Sequence, residues 1–136
     1  ERIQQNKSLH PAFFYSILLW HPLQAELERR QVKTRDFHTA LRHAMDAVLR
    51  RQIEIIAIPK RFTSVIREIW VMQYRLSNRR GKRAFRLLKH QRFRAAYDFL
   101  LLRAEAGEPV DRLAGWWTKF IAQKIDEQQR MVKRVR

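Results

Sequence analysis

The sequence predicts an all-α fold, an irregular bundle of about six or seven helices. Three observations carry that prediction. Three glycines and four prolines leave little material for tight hairpin turns. Nearly every segment repeats its apolar residues at the 3.6-residue helical period. The prolines fall at the edges of those segments, where helices begin or stop.

The first helix is expected to start from Ser8 as N-cap, with Pro11 in its first turn, and to run through Trp20. Pro22 sits where a second helix begins, and that helix extends to about Lys33. A third, from about Thr34 or Asp36, places Phe37, Leu41, Ala44, Val48 and Ile55 on one face. Pro59 marks a break and opens a fourth helix that aligns Phe62, Val65, Ile66, Ile69, Gln73 and Leu76, with Lys60 and Arg67 seven apart on another face. It ends near Ser77 and Asn78. A short basic helix from about Gly81 to Lys89 carries Ala84, Phe85, Leu87 and Leu88. The stripe Phe93, Ala96, Tyr97, Leu100, Leu101 and Ala104 closes at Gly107, read as a C-cap, with Pro109 just beyond. From Val110 the period continues through Leu113, Trp117, Phe120, Ile121, Ile125, Gln128 and Val132, and residues 130–136 are read as a basic tail or a frayed helix end. The 136 residues are read as a single helical region.

Charge is the second signal. The chain carries a formal +16 with a pI near 11.4, which makes acidic partners the expectation. Between Lys60 and Arg94 stand twelve Lys and Arg against Glu68 alone, a net +11, so one segment holds most of the excess. Charge concentrated in this way is the footprint of a phosphate-backbone binder. The longest apolar run, Ala12 to Trp20, has nine residues, where roughly 20 are needed to span a bilayer. No signal-peptide pattern opens the chain and no cysteine is present, so cytoplasm is the expected location. The chain opens on Glu1 and is expected to be part of something longer.

Catalytic patterns are missing. A phosphate-cradling loop needs two glycines ahead of Lys and Ser or Thr, and around Gly81-Lys82 the first glycine's position, 76, is Leu and position 83 is Arg. Glu26 and Glu28 lie two apart on a predicted helix, where they diverge by roughly 200° and cannot share a metal ion. His10, His21, His38, His43 and His90 form no ligand-spaced pair, and Ser8, Ser16, Ser64 and Ser77 have no glycine elbow around them.

Several blocks in order are similar to a known family. Phe13-Phe14-Tyr15-Ser16 with Leu18-Leu19-Trp20, Ala57-Ile58-Pro59-Lys60-Arg61, Arg67-Glu68-Ile69-Trp70, Gly81-Lys82-Arg83-Ala84, Phe93-Arg94-Ala95-Ala96-Tyr97-Asp98, Leu102-Arg103-Ala104-Glu105 and Trp116-Trp117 together resemble the C-terminal half of the bacterial poly(A) polymerases. The likeness covers about Pro11 to Phe120. That family shares its nucleotidyltransferase class with the CCA-adding enzymes and has a catalytic head followed by helical neck, body and tail regions that hold RNA. The resemblance implies transfer of AMP from ATP to RNA 3′ ends in the presence of Mg²⁺, in the service of RNA decay. The head's glycine-serine turn and paired aspartates are absent, so catalysis and most ATP contacts are expected upstream of Glu1, with no cofactor in this piece and no activity from it alone. The family's arginine-rich tail is represented by Lys133, Arg134 and Arg136.

The expected RNA-binding residues are Lys60, Arg61 and Arg67 on a helix face and Arg79, Arg80, Lys82, Arg83 and Arg86 around the Gly81 turn, against the alternative of a solvated basic surface. Trp70, Tyr74, Trp116 and Trp117 could stack on bases, but core packing is the preferred reading for most of them. Trp116 and Trp117 point about 100° apart, so one is expected buried and the other partly exposed. Arg103 is read as a surface partner of Glu105 and Glu108. The expected partner is single-stranded RNA at its 3′ end. Three rivals stand beside it: a module docking an acidic RNA-decay protein, the body of a CCA-adding enzyme, and a DNA-binding domain, for which no helix-turn-helix with a polar recognition face is visible.

Overall fold

The computed structural model describes residues 11–135, where eight α-helices and one 3₁₀ turn occur and no strand is found. Ser8 and His10 lie outside the described residues. The chain divides into two compact units, Glu1–Glu68 and Ile69–Arg136, and the division falls inside one helix.

In unit 1, α1 (Pro11–Leu18) and α2 (Trp20–Lys33) follow each other with only Leu19 between them, so the first helix stops two residues short of the expected Trp20. Pro22 fits in the first turn of α2, where its missing N–H has no intrahelical acceptor to lose. The third helix, α3 (Phe37–Ile56), is started by Asp36, whose Oδ2 accepts the Thr39 N–H at 3.3 Å. The predicted stripe faces inward at Leu41, Ala44 and Val48, against Leu23 and Leu27 of α2 in the buried set. Ile55, in the last turn, is 66% exposed. The buried Glu26 accepts from Arg29 and from Arg30, at 2.7 Å for the latter, and Arg51 of α3 approaches to 3.9 Å. The Arg29 and Arg30 hydrogen bonds hold its carboxyl below the ordinary glutamate range.

The fourth element differs from expectation. Pro59 is extended, and Lys60–Phe62 form a 3₁₀ turn closed by Phe62 N–H to the Pro59 carbonyl. The α-helix, α4 (Thr63–Arg75), begins only afterwards, with the Thr63 hydroxyl donating to the Lys60 carbonyl at 2.8 Å. Lys60 and Arg67 therefore do not share a face of one α-helix.

Unit 2 takes the rest of α4, then α5 (Arg83–Lys89), α6 (Phe93–Glu105), α7 (Asp111–Ala122) and α8 (Ile125–Arg134). Its core joins Met72 and Leu76 to Leu87, Phe93, Leu100, Trp117, Phe120 and Met131. Phe93 stacks on Tyr97 and tilts against Trp117, and Phe85 meets Phe120 edge-on. Gly107 stands at φ 98°, which allows Gly107 N–H to reach the Ala104 carbonyl and Glu108 N–H the Arg103 carbonyl, so the expected glycine cap is present.

Two sequence expectations need correction here. The period running on from Val110 is broken between Ala122 and Ile125, where Lys124 is extended. The buried Gln128 amide donates to the Phe120 carbonyl at 2.8 Å and so satisfies the end of α7. Arg103 pairs with Glu108 as expected, at 2.9 Å, but not at the surface: its side chain is 14% exposed, and it also donates to Gln73 Oε1 at 3.0 Å. Gln73 in turn donates to the Ala96 carbonyl at 3.0 Å, so one polar network ties α4 to α6.

Candidate nucleic-acid interface

The turn after α4 is built from its end outward. Leu76 finishes the buried stripe of α4, and the Trp117 indole N–H donates to the Leu76 carbonyl at 2.9 Å, fixing where the chain leaves the helix. Asn78 N–H closes back on the Arg75 carbonyl, and Gly81 turns at φ 57°, a backbone state that costs an L side chain roughly 1–2 kcal/mol. Arg83 N–H then bonds the Arg80 carbonyl and α5 starts.

This path sets Arg79 over Trp116, with the guanidinium carbon 4.9 Å from the ring centroid. Arg79 Nε is buried and has no hydrogen-bond partner among the described residues. Burial also pushes the Arg79 pKa below its ordinary value. Trp116 is itself held by Phe120, stacked at 4.7 Å, and by the edge of Trp117 at 5.0 Å. The two tryptophans part as expected: Trp117 is fully buried, and Trp116 is partly exposed. Trp70 is fully buried as well.

Arg80, Lys82, Arg83 and Arg86 are exposed and form no ion pair among the described residues. Lys82 and Arg86, with Lys89, edge a groove of about 530 Å³ whose apolar lining is Phe85, Leu88 and Ile125. The three remaining candidates belong to unit 1. Lys60 and Arg61 are exposed, with Arg61 over the Phe62 ring at 4.7 Å. Arg67 is bound to Asp46 at 2.6 Å, so its charge is compensated by an acid twenty-one residues earlier.

Sequence reasoning missed a cleft of about 730 Å³ in unit 2. Arg79 lines it together with Arg112, Trp116 and Lys119 of α7 and Arg134 of α8. The available signal was the spacing 112, 116 and 119, which places a cation, an aromatic ring and a cation on one helix face. No carboxylate of the described residues lines this cleft. Among the described residues no cluster of His, Cys, Asp or Glu is able to hold a metal ion, and no helix is long and apolar enough to cross a membrane.

The helical unit thus offers a cation-rich turn and a cleft lined by no carboxylate of the described residues, a positive surface toward anions. Residues 33–136 match the family described as the polymerase A arginine-rich C-terminus, and the chain belongs to that family. It is 40% identical over 134 residues to Poly(A) polymerase I of Escherichia coli O157:H7 and equally to that of Salmonella typhi, covering 96% of this chain and 29% of each relative. Poly(A) polymerase I of Haemophilus influenzae is 35% identical over 141 residues, again covering 96% of this chain and 31% of that protein. The chain thus spans less than a third of the length of these relatives.

Proposed function

We propose that this chain is the RNA-holding C-terminal region of a poly(A) polymerase, gripping a single strand by its phosphates while a separate catalytic head transfers AMP from ATP, with Mg²⁺, to the 3′ end. The observation that carries this reading is the run from Arg79 to Lys89, which supplies six cations and no acid; five of them are exposed and none is engaged in an ion pair among the described residues. Phosphate contacts of this kind position a strand without reading its bases, so selectivity among sequences is slight. The site lies in the cytoplasm, where the RNA is, and the region alone has no transferase activity.

The test is a titration of labelled oligo(A) with the 136-residue chain across salt concentrations. Five neutralised phosphates give a log–log slope of about −3.5, at about −0.7 per contact on a single strand. A flat slope overturns the reading.

A second reading, docking of an acidic partner such as an RNA-decay protein, is favoured by the apolar lining of the groove between Lys82, Arg86 and Ile125. Replacement of Arg79, Arg80, Lys82 and Arg83 with Ala separates the two. RNA affinity falls under the first reading, whereas under the second partner capture is lost and RNA affinity is unchanged.

A further inference from the structure

We propose that the cleft between the Ser77–Arg79 turn and α7 seats consecutive phosphodiesters of one RNA strand, with Arg79 as an oriented fork and Arg112 and Lys119 as flanking cations. The proposal rests on the RNA-holding reading above and adds a site to it.

The first support is the state of Arg79. Its guanidinium is held over Trp116, its Nε is dry, and it forms no hydrogen bond to any described residue. A fixed planar fork with its donors unused matches the bidentate geometry of a phosphate oxygen pair, which a flexible ammonium does not. The second is the charge of the walls. Of the four cations only Arg134 has an acidic partner, Glu127 at 3.3 Å, while Arg112 and Lys119 have none among the described residues. Val110, Leu113 and Met131 fill the spaces between them, and apolar walls strengthen the attraction for an anion.

The third support decides the kind of anion. Arg112 and Lys119 are seven residues apart on α7, about 10 Å along its axis, a spacing that lets each cation meet its own phosphate along a strand. A volume of about 730 Å³ likewise exceeds what a lone ion fills and suits a nucleotide-sized ligand. A strand with successive phosphates uses both ends of the cleft.

The experiment compares the full 136-residue chain with Arg112→Ala/Lys119→Ala, with Arg79→Lys and with Arg80→Ala/Arg83→Ala, by anisotropy of labelled oligo(A) over a range of salt. Arg112 and Lys119 are exposed, so the double variant keeps the fold even if Arg79→Lys does not. The expected result is a salt slope shallower by about 1.4 and a roughly tenfold loss of affinity for Arg112→Ala/Lys119→Ala. Arg79→Lys loses affinity with its slope unchanged, because charge is kept and the fork is not. If both variants bind as the unaltered chain does while Arg80→Ala/Arg83→Ala loses affinity, the RNA reading stands and the cleft proposal is overturned. Absence of salt-dependent binding by the unaltered chain overturns both. Inorganic phosphate and ATP are added as competitors. Displacement of oligo(A) by either, beyond that of chloride at equal ionic strength, identifies the occupant as a free phosphate compound and overturns the assignment to a strand.

Discussion

Ala57 ends α3 at φ 55°, the only residue other than glycine in the left-handed region among those described. An L side chain is strained there by roughly 1–2 kcal/mol, and glycine regains part of that while losing unfolded-state order. Ala57→Gly is therefore expected to stabilise the chain by about 0.5–1 kcal/mol, seen as a higher urea midpoint with an unchanged m-value. Gly81→Ala, at φ 57°, moves the midpoint the other way although open space surrounds the site. An unchanged midpoint in both variants would remove the strain account. At this scale the glycines were legible and Ala57 was not, because nothing in its side chain announces a positive φ. The charges divide similarly. Arg80, Lys82, Arg83 and Arg86 stand exposed and without an ion pair among the described residues, whereas Arg67 meets an acid on α3 that a count along the segment could not reveal.

Helices were legible where an apolar stripe and a terminator agreed. The α6 stripe ends at Gly107 and α3 begins at Asp36 for reasons visible in the residues themselves. The break between α7 and α8 was not legible, since apolar spacing continues across it and the Gln128 amide that satisfies Phe120 comes from beyond it. The same holds for Trp117, which any periodicity count assigns to the core, yet whose indole N–H also terminates α4 from forty-one residues away. Trp117→Phe keeps a ring in the core and strands the Leu76 carbonyl, an expected loss of about 1–3 kcal/mol on top of the smaller ring. Trp116→Phe, where no such hydrogen bond to a described residue is made, costs less in the same urea titration. Equal losses would show that the bond to Leu76 contributes little.

Across the whole molecule, a formal +16 on 136 residues sets stability and binding at odds over salt. Self-repulsion weakens the compact state and is screened as ions are added, while phosphate contacts are weakened by the same ions. Raising NaCl from 0.05 to 0.5 M is expected to raise the melting temperature as oligo(A) affinity falls. A melting temperature that falls along with affinity would mean that salt acts on binding through unfolding. The positive excess and its concentration were plain in the sequence, but the cleft was not, because it assembles from Arg79, α7 and α8 only once Trp117 has fixed the exit of α4. That buried indole N–H has a further consequence in time. Its proton meets solvent only when α4 and α7 part, so its hydrogen exchange runs at the pace of the opening of unit 2, a single proton that clocks the unit's breathing.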